Sequence, residues 1–214
     1  MFRPLALLGL LLAAAPALAQ GRPPAAGATE SFGPWLLSCA LDRMTDRAEC
    51  RMLHSRPVQP ASPGLAPLAL EVMERSGHLV PVVTARDLSL EGAARGALAL
   101  AGTVQLRFAP NRLFDMPCGL EALSLVCAPR EADLARAAAE LPLATGVLVR
   151  VSGMLVPDAQ AMREPVELRL SDTPAALARL RQRQPEGSAA PPPPAGLPEL
   201  RDVLSRLLSL FSGP

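Results

Sequence analysis

Apolar and polar positions alternate along much of this chain, the period of a half-buried β-strand. Trp35, Leu37, Cys39 and Leu41 fall on one face of an extended segment, and Leu36, Ser38 and Ala40 fall on the other. On a second arm Cys50 and Met52 alternate with Arg51, and the polar stretch DRMTDRAE (42–49) between the arms reads as an exposed loop. The pattern predicts a β-hairpin whose arms are joined by Cys39–Cys50. Further strands are expected in LALEV (68–72), TVQLRF (103–108), VLVRV (147–151) and VELRL (166–170). In these, Leu68, Leu70, Val72, Val104, Leu106 and Phe108 point inward, while Gln105, Arg107, Arg150, Glu167 and Arg169 face water.

Two segments carry helix signals. EADLARAAAEL (131–141) is rich in Ala, opens on acidic residues and stops before Pro142. TPAALARLRQRQ (173–184) offers Thr173 as N-cap and Pro174 at the first helical position. Its Leu177 and Leu180 can rest on a sheet edge. Several strands with turns between them indicate antiparallel sheets packed face to face. The fold class expected is mainly β, an antiparallel β-sandwich-like domain with one or two short helices.

The ends read differently. MFRPLALLGLLLAAAPALAQ has one basic residue, an apolar run from Leu5 to Ala15 and a small-x-small ending at Ala17–Ala19. The run is shorter than the ~20 residues a membrane span needs. It fits a secretory signal over residues 1–19, with a soluble mature chain beginning at Gln20 and lacking a transmembrane segment. Residues 20–29 form a small-residue leader, 30–184 the domain, and 185–196 a Pro-rich linker favouring extended conformation. The last segment, 197–214, spaces Leu200, Leu204, Leu207, Leu208 and Phe211 close to helical period, with Glu199, Arg201, Asp202 and Arg206 opposite. It is expected to be an amphipathic helix that docks on an envelope protein or self-associates, or else folds back on its own domain.

With Arg3 removed from the 21 basic residues, basic and acidic residues balance at 20 each. That balance is unlike the basic footprint of a nucleic-acid binder. With no Tyr and one Trp, the chain also lacks platforms for stacking bases or sugars.

Four cysteines allow three pairings. Cys39 with Cys50 and Cys118 with Cys127 are preferred because both loops are short, and an exported chain is the context in which such bonds persist. Structural zinc and thioredoxin-type redox sites want closer pairs such as C-x-x-C.

FGPW with Cys39 four residues after Trp35, then C-R-M-L, LALEV, VCAP, EPVELRLS and TPAALARL, follow one another in an order that resembles the invasion-associated locus B family of α-proteobacterial envelope proteins. The resemblance spans roughly residues 31–180. It departs at Pro34 and His54, where the family commonly has Asp and Gln. It implies a compact, secreted β-sandwich-like domain with two disulfides and, from the family's name, association with host cells. It implies no catalytic residues and no cofactor.

Sites of chemistry are sparse. His54, after a predicted strand, and His78, in the turn-like ERSGHLVP, are expected in surface or turn positions. Ser38 and Ser124 lack the G-x-S-x-G turn of a nucleophile elbow. No P-loop, dinucleotide fingerprint or HExxH occurs. The acid pairs Glu71/Glu74 and Glu164/Glu167 lie near arginines and read as solvated surface. The expectation is a non-enzymatic, disulfide-stabilised protein, periplasmic, envelope-associated or secreted, that acts through protein contacts. The alternative is a small-ligand module using a cleft between the sheets.

Overall fold

Trp35–Asp42 (β2) and Arg47–His54 (β3) pair antiparallel with Cys39 directly opposite Cys50, as the alternation predicts. Both arms are longer than expected, reaching Asp42 on one side and starting at Arg47 on the other, within the stretch read as a loop. The computed structural model describes residues 28–44, 46–61, 66–86, 88, 103–121, 123–152 and 164–184. The expected signal segment, the linker and the stripe from Leu200 to Phe211 lie outside these residues. Of the expected leader only Ala28 and Thr29 are described, and Thr29 opens β1.

Around the hairpin stand β1 (Thr29–Phe32), β4 (Ala69–Arg75) and β5 (His78–Ala85). They are followed by β6 (Thr103–Arg107), β7 (Phe114–Glu121), β8 (Ser124–Cys127), β9 (Gly146–Ser152) and β10 (Val166–Arg169). The ladder is continuous and antiparallel throughout, in the order β1-β2-β3-β4-β5-β8-β7-β6-β9-β10. Directly paired residues share a face. Leu37, Met52 and Val72 therefore point together, as do Leu70, Val83 and Cys127, and Leu106, Phe114 and Val149. These residues belong to one hydrophobic cluster drawn from both halves of the sheet. The architecture is the mainly β, sandwich-like one expected, built from a single curled sheet whose halves share one core.

Between β8 and β9 lies α1 (Leu134–Glu140), flanked by 3₁₀ turns at Glu131–Asp133 and Leu141–Leu143. Pro142 does not end the helical stretch as expected; it enters the second 3₁₀ turn, where an early position has no need of its missing N–H. The small residues of α1 pack on β5, with Leu134 and Ala137 buried.

The second helix, α2 (Thr173–Arg183), closes the sheet's open end, packing against β1, β2 and β3. Asp172, in a left-handed conformation at φ 57°, takes the N-cap position expected of Thr173. The Thr173 hydroxyl is occupied elsewhere: it accepts from Trp35 Nε1–H at 2.9 Å and donates to Leu170 O at 2.8 Å. Trp35 and Thr173 are both fully buried, so this bond satisfies the one polar atom of the largest core side chain. Gly33, at φ 53° in the β1–β2 turn, meets the same corner. A Cβ there would stand 2.7 Å from the movable Asp172 Oδ2 and Ser171 Oγ and 3.1 Å from Ser171 O, and together with the positive φ this favours Gly where the turn meets the helix.

His54 sits beside this corner and is buried, against the surface or turn position expected of it. It ends β3 opposite Trp35, with the rings edge-to-face at 5.5 Å. Its Nδ1 lies 3.1 Å from the Arg56 backbone nitrogen, and its Nε2 lies 2.9 Å from Arg169 O. Nδ1 also lies 2.9 Å from Arg56 O. Arg56 Nη1 donates to Glu167 O at 3.3 Å. The carbonyls of Glu167 and Arg169 on the free edge of β10 are thus capped by side chains at and just after the end of β3, which blunts an edge that would otherwise invite pairing. His78 lies as expected, exposed next to the Ser76–Gly77 turn.

Glu30 of β1 faces α2 from opposite Leu37. It accepts from Arg179 at 2.8 and 3.1 Å and from Arg183 at 2.7 Å. The hydrogen bonds from Arg179 and then Arg183 hold its carboxyl below the ordinary carboxylate range, against a smaller opposing effect of burial.

Two outcomes follow from this end of the molecule. Thr173→Val keeps the shape but leaves a buried indole N–H unsatisfied, and should cost about 2 kcal/mol in urea unfolding, largely recovered by Thr173→Ser. Because Glu30's folded pKa lies below its unfolded one, its contribution is present above the ordinary carboxylate range and lost as pH falls through the folded value. Glu30→Gln should therefore lower the urea midpoint at neutral pH, and the gap to the parent should close on acidification below that range.

Candidate functional site

The alternation of LALEV assigns Leu70 and Val72 to the core and Glu71 to solvent. The structure corrects the second assignment, since the Glu71 side chain is 1% exposed. β4 is a central strand: Glu71 is flanked by Leu53 and Val82, and the long side chains of Arg51 and Arg86 close over it. Arg86 Nε and Nη2 donate to Oε2 at 3.0 and 2.9 Å, and Nη2 also reaches Oε1 at 2.9 Å. Arg51 Nε donates to Oε1 at 3.2 Å and the buried Thr84 hydroxyl donates to Oε2 at 2.9 Å. Both oxygens accept from donors on either side, so this carboxylate is an anchor across β3, β4 and β5. Glu74, its expected partner in an acid pair, belongs to the other face of β4.

The remaining sequence candidates are not brought together. His54 is occupied on both nitrogens by backbone groups. Ser124 is buried in β8, and Ser38 lies in β2 opposite Arg51. Glu164 precedes β10, and Glu167 points from it to solvent as expected. Among the described residues no group of three or more His, Cys, Asp or Glu could hold a metal ion.

The cysteines pair as expected. Cys39–Cys50 and Cys118–Cys127 each join directly opposite residues of neighbouring strands, with Cα separations of 4.0 and 3.9 Å. The Cys50 N–H points away from β2, donating to Gln184 Oε1 at 3.0 Å, and the Ala128 N–H reaches Pro117 O one step beyond the second pair. Both bridges therefore sit at non-hydrogen-bonded positions of the ladder, where opposing side chains come closest. In the chain-entropy model each short loop contributes about 3 kcal/mol.

No protein-family model, curated protein or solved structure matches this chain.

The first bridge has a particular setting. β1 pairs with β2 only as far as Ser38, and β4 pairs with β3 only at Met52 and Leu53. Beyond those points, 39–42 and 47–51 run as a two-stranded ribbon among the described residues. An isolated ribbon of this kind is marginal in water. Here it is stapled at its base by Cys39–Cys50 and steadied by Gln184 from the end of α2. Its distal end carries two apolar side chains, Leu41 at 50% and Met44 at 92% exposure. Leu41 shares the inward face with Trp35 and Leu37, as expected, but lies where that face has run past its cover. A Met at the centre of the charged turn DRMTDR was the available sequence signal for this surface. Glu71 had none, because its environment comes from three strands and the residue after them.

The Glu71 anchor makes an asymmetric prediction. Arg86→Met leaves a buried carboxylate short of its main partner and should cost about 3 kcal/mol in urea unfolding. Replacing both groups, as in Glu71→Leu with Arg86→Met, removes the buried charge as well and should recover a substantial part of that loss.

Proposed function

We propose that this is an exported, non-enzymatic envelope protein that acts through protein contacts, and that the β2–β3 ribbon is its contact surface. The observation that carries the reading is the exposed apolar pair Leu41 and Met44 at the end of a ribbon braced by a disulfide. Pre-ordering a binding loop lowers the entropy lost on association, and a disulfide at the base of a hairpin does that directly. The two bridges are consistent with an oxidising, extracytoplasmic location. No helix among the described residues is long and apolar enough to cross a membrane. The resemblance to invasion-associated locus B proteins supports an envelope setting and extends the reading to host-cell association. The stripe Leu200, Leu204, Leu207, Leu208 and Phe211 is a second surface in the same proposal.

A photo-crosslinking residue placed at position 44 in intact envelopes should give a discrete adduct. The same residue at the exposed Ala135 of α1 should not, and Leu41→Ser should diminish the adduct at 44 while leaving the thermal midpoint unchanged. Equal labelling from positions 44 and 135, or none from 44, would remove the ribbon from the proposal.

A further inference from the structure

At the opposite part of the sheet a cleft of about 320 Å³ is lined by Arg112, Leu113, Asp115, Arg130, Asp133 and Arg136. That volume is at the small end of the ~300–1,000 Å³ typical of ligand sites. Its walls are firmly built. Arg136 of α1 lies over the Phe114 ring at 3.6 Å, and its nitrogens donate to Arg112 O at 3.1 Å, Leu113 O at 3.4 Å, Asp133 Oδ1 at 2.9 Å and Glu140 Oε1 at 3.4 Å. Arg107 holds the adjoining turn by donating to Asn111 O at 2.9 Å and Pro110 O at 3.2 Å. Arg136 and Asp133 are thereby committed to each other and to the backbone.

Three features of the lining remain uncommitted or only partly committed. The guanidinium groups of Arg112 and Arg130 have no hydrogen bond or ion pair among the described residues, although each projects from a backbone that is itself fixed. Among the described residues Asp115 is held only by Gln105 Nε2–H, 3.1 Å from Oδ1. Leu113 is a half-exposed apolar side chain. Two guanidinium forks suit a carboxylate, a carboxylate suits an ammonium, and Leu113 suits a short hydrocarbon. A doubly charged phosphate would meet repulsion from Asp115. We propose that this cleft binds a small apolar amino acid, with its carboxylate on Arg112 and Arg130, its ammonium on Asp115 and its side chain on Leu113. The site is separate from the β2–β3 ribbon and does not depend on the contact reading.

Calorimetric titration of the full exported chain with a matched series tests this: leucine, 4-methylpentanoate, 3-methylbutylamine and inorganic phosphate. Leucine should bind, and the analogues lacking the ammonium or the carboxylate should bind at least about tenfold more weakly. Arg112→Gln with Arg130→Gln should abolish leucine binding without moving the thermal midpoint, because both side chains are exposed. Asp115→Asn should erase the advantage of leucine over 4-methylpentanoate. The proposal is overturned if leucine does not bind, if phosphate binds as tightly as leucine, or if leucine binding survives the double arginine substitution.

Discussion

The bond from the Trp35 indole to the Thr173 hydroxyl is the constraint on which the closure of this fold depends. It joins residues 138 apart in sequence, one at the start of β2 and the other at the start of α2, and both lie in full burial. A curled sheet with ten strands has two edges to reconcile, and here no backbone ladder joins β10 to β1. Side chains do that work. Trp35 fixes α2, His54 and Arg56 cap the carbonyls of β10, and Gly33 lets the first turn press against the helix start. The ion pairs of Glu30 with Arg179 and Arg183 add a second, more exposed tie between the first strand and the last helix.

Four buried polar side chains are tied into the fold by hydrogen bonds. Glu71, His54, Thr84 and Thr173 are buried and each is hydrogen-bonded, which is the condition on which such groups enter a core. The Glu71 carboxylate and both nitrogens of His54 are engaged in hydrogen bonds within the fold. Their chemistry is spent on holding strands in register. Among the described residues, two surfaces stand out for outside contact: the apolar end of the braced ribbon, and the cleft with its unpaired guanidinium groups.

The disulfides divide between these needs. Cys118–Cys127 joins β7 and β8 in the middle of the sheet, where flanking strands already hold the pair. Cys39–Cys50 stands where the neighbouring strands stop, so the ribbon beyond it rests on the covalent link and on Gln184. The same chemistry therefore supports the core in one case and an exposed element in the other.

Period-two alternation around Trp35, Val104, Val147 and Val166 determined, by itself, that the chain forms antiparallel strands and which side of each meets the core, because alternation is a property of the extended backbone. The cysteine spacings favoured the sequential pairing among three, since short loops close most readily, and the structure has that pairing. Strands β1, β5, β7 and β8 were not legible: β1 is short and mostly polar at its start, β5 is apolar on both faces and carries Pro81, and the Gly and Leu-rich run between Cys118 and Cys127 has no clean alternation. The environment of Glu71 and His54 was decided only by the tertiary structure. Local pattern assigns a face to each residue, but whether that face meets water or a neighbour depends on which strands flank it and which arginines reach across. Arg112 and Arg130 are likewise ordinary surface residues in sequence, and only the packing of α1 beside the turn before β7 brings them to one cleft.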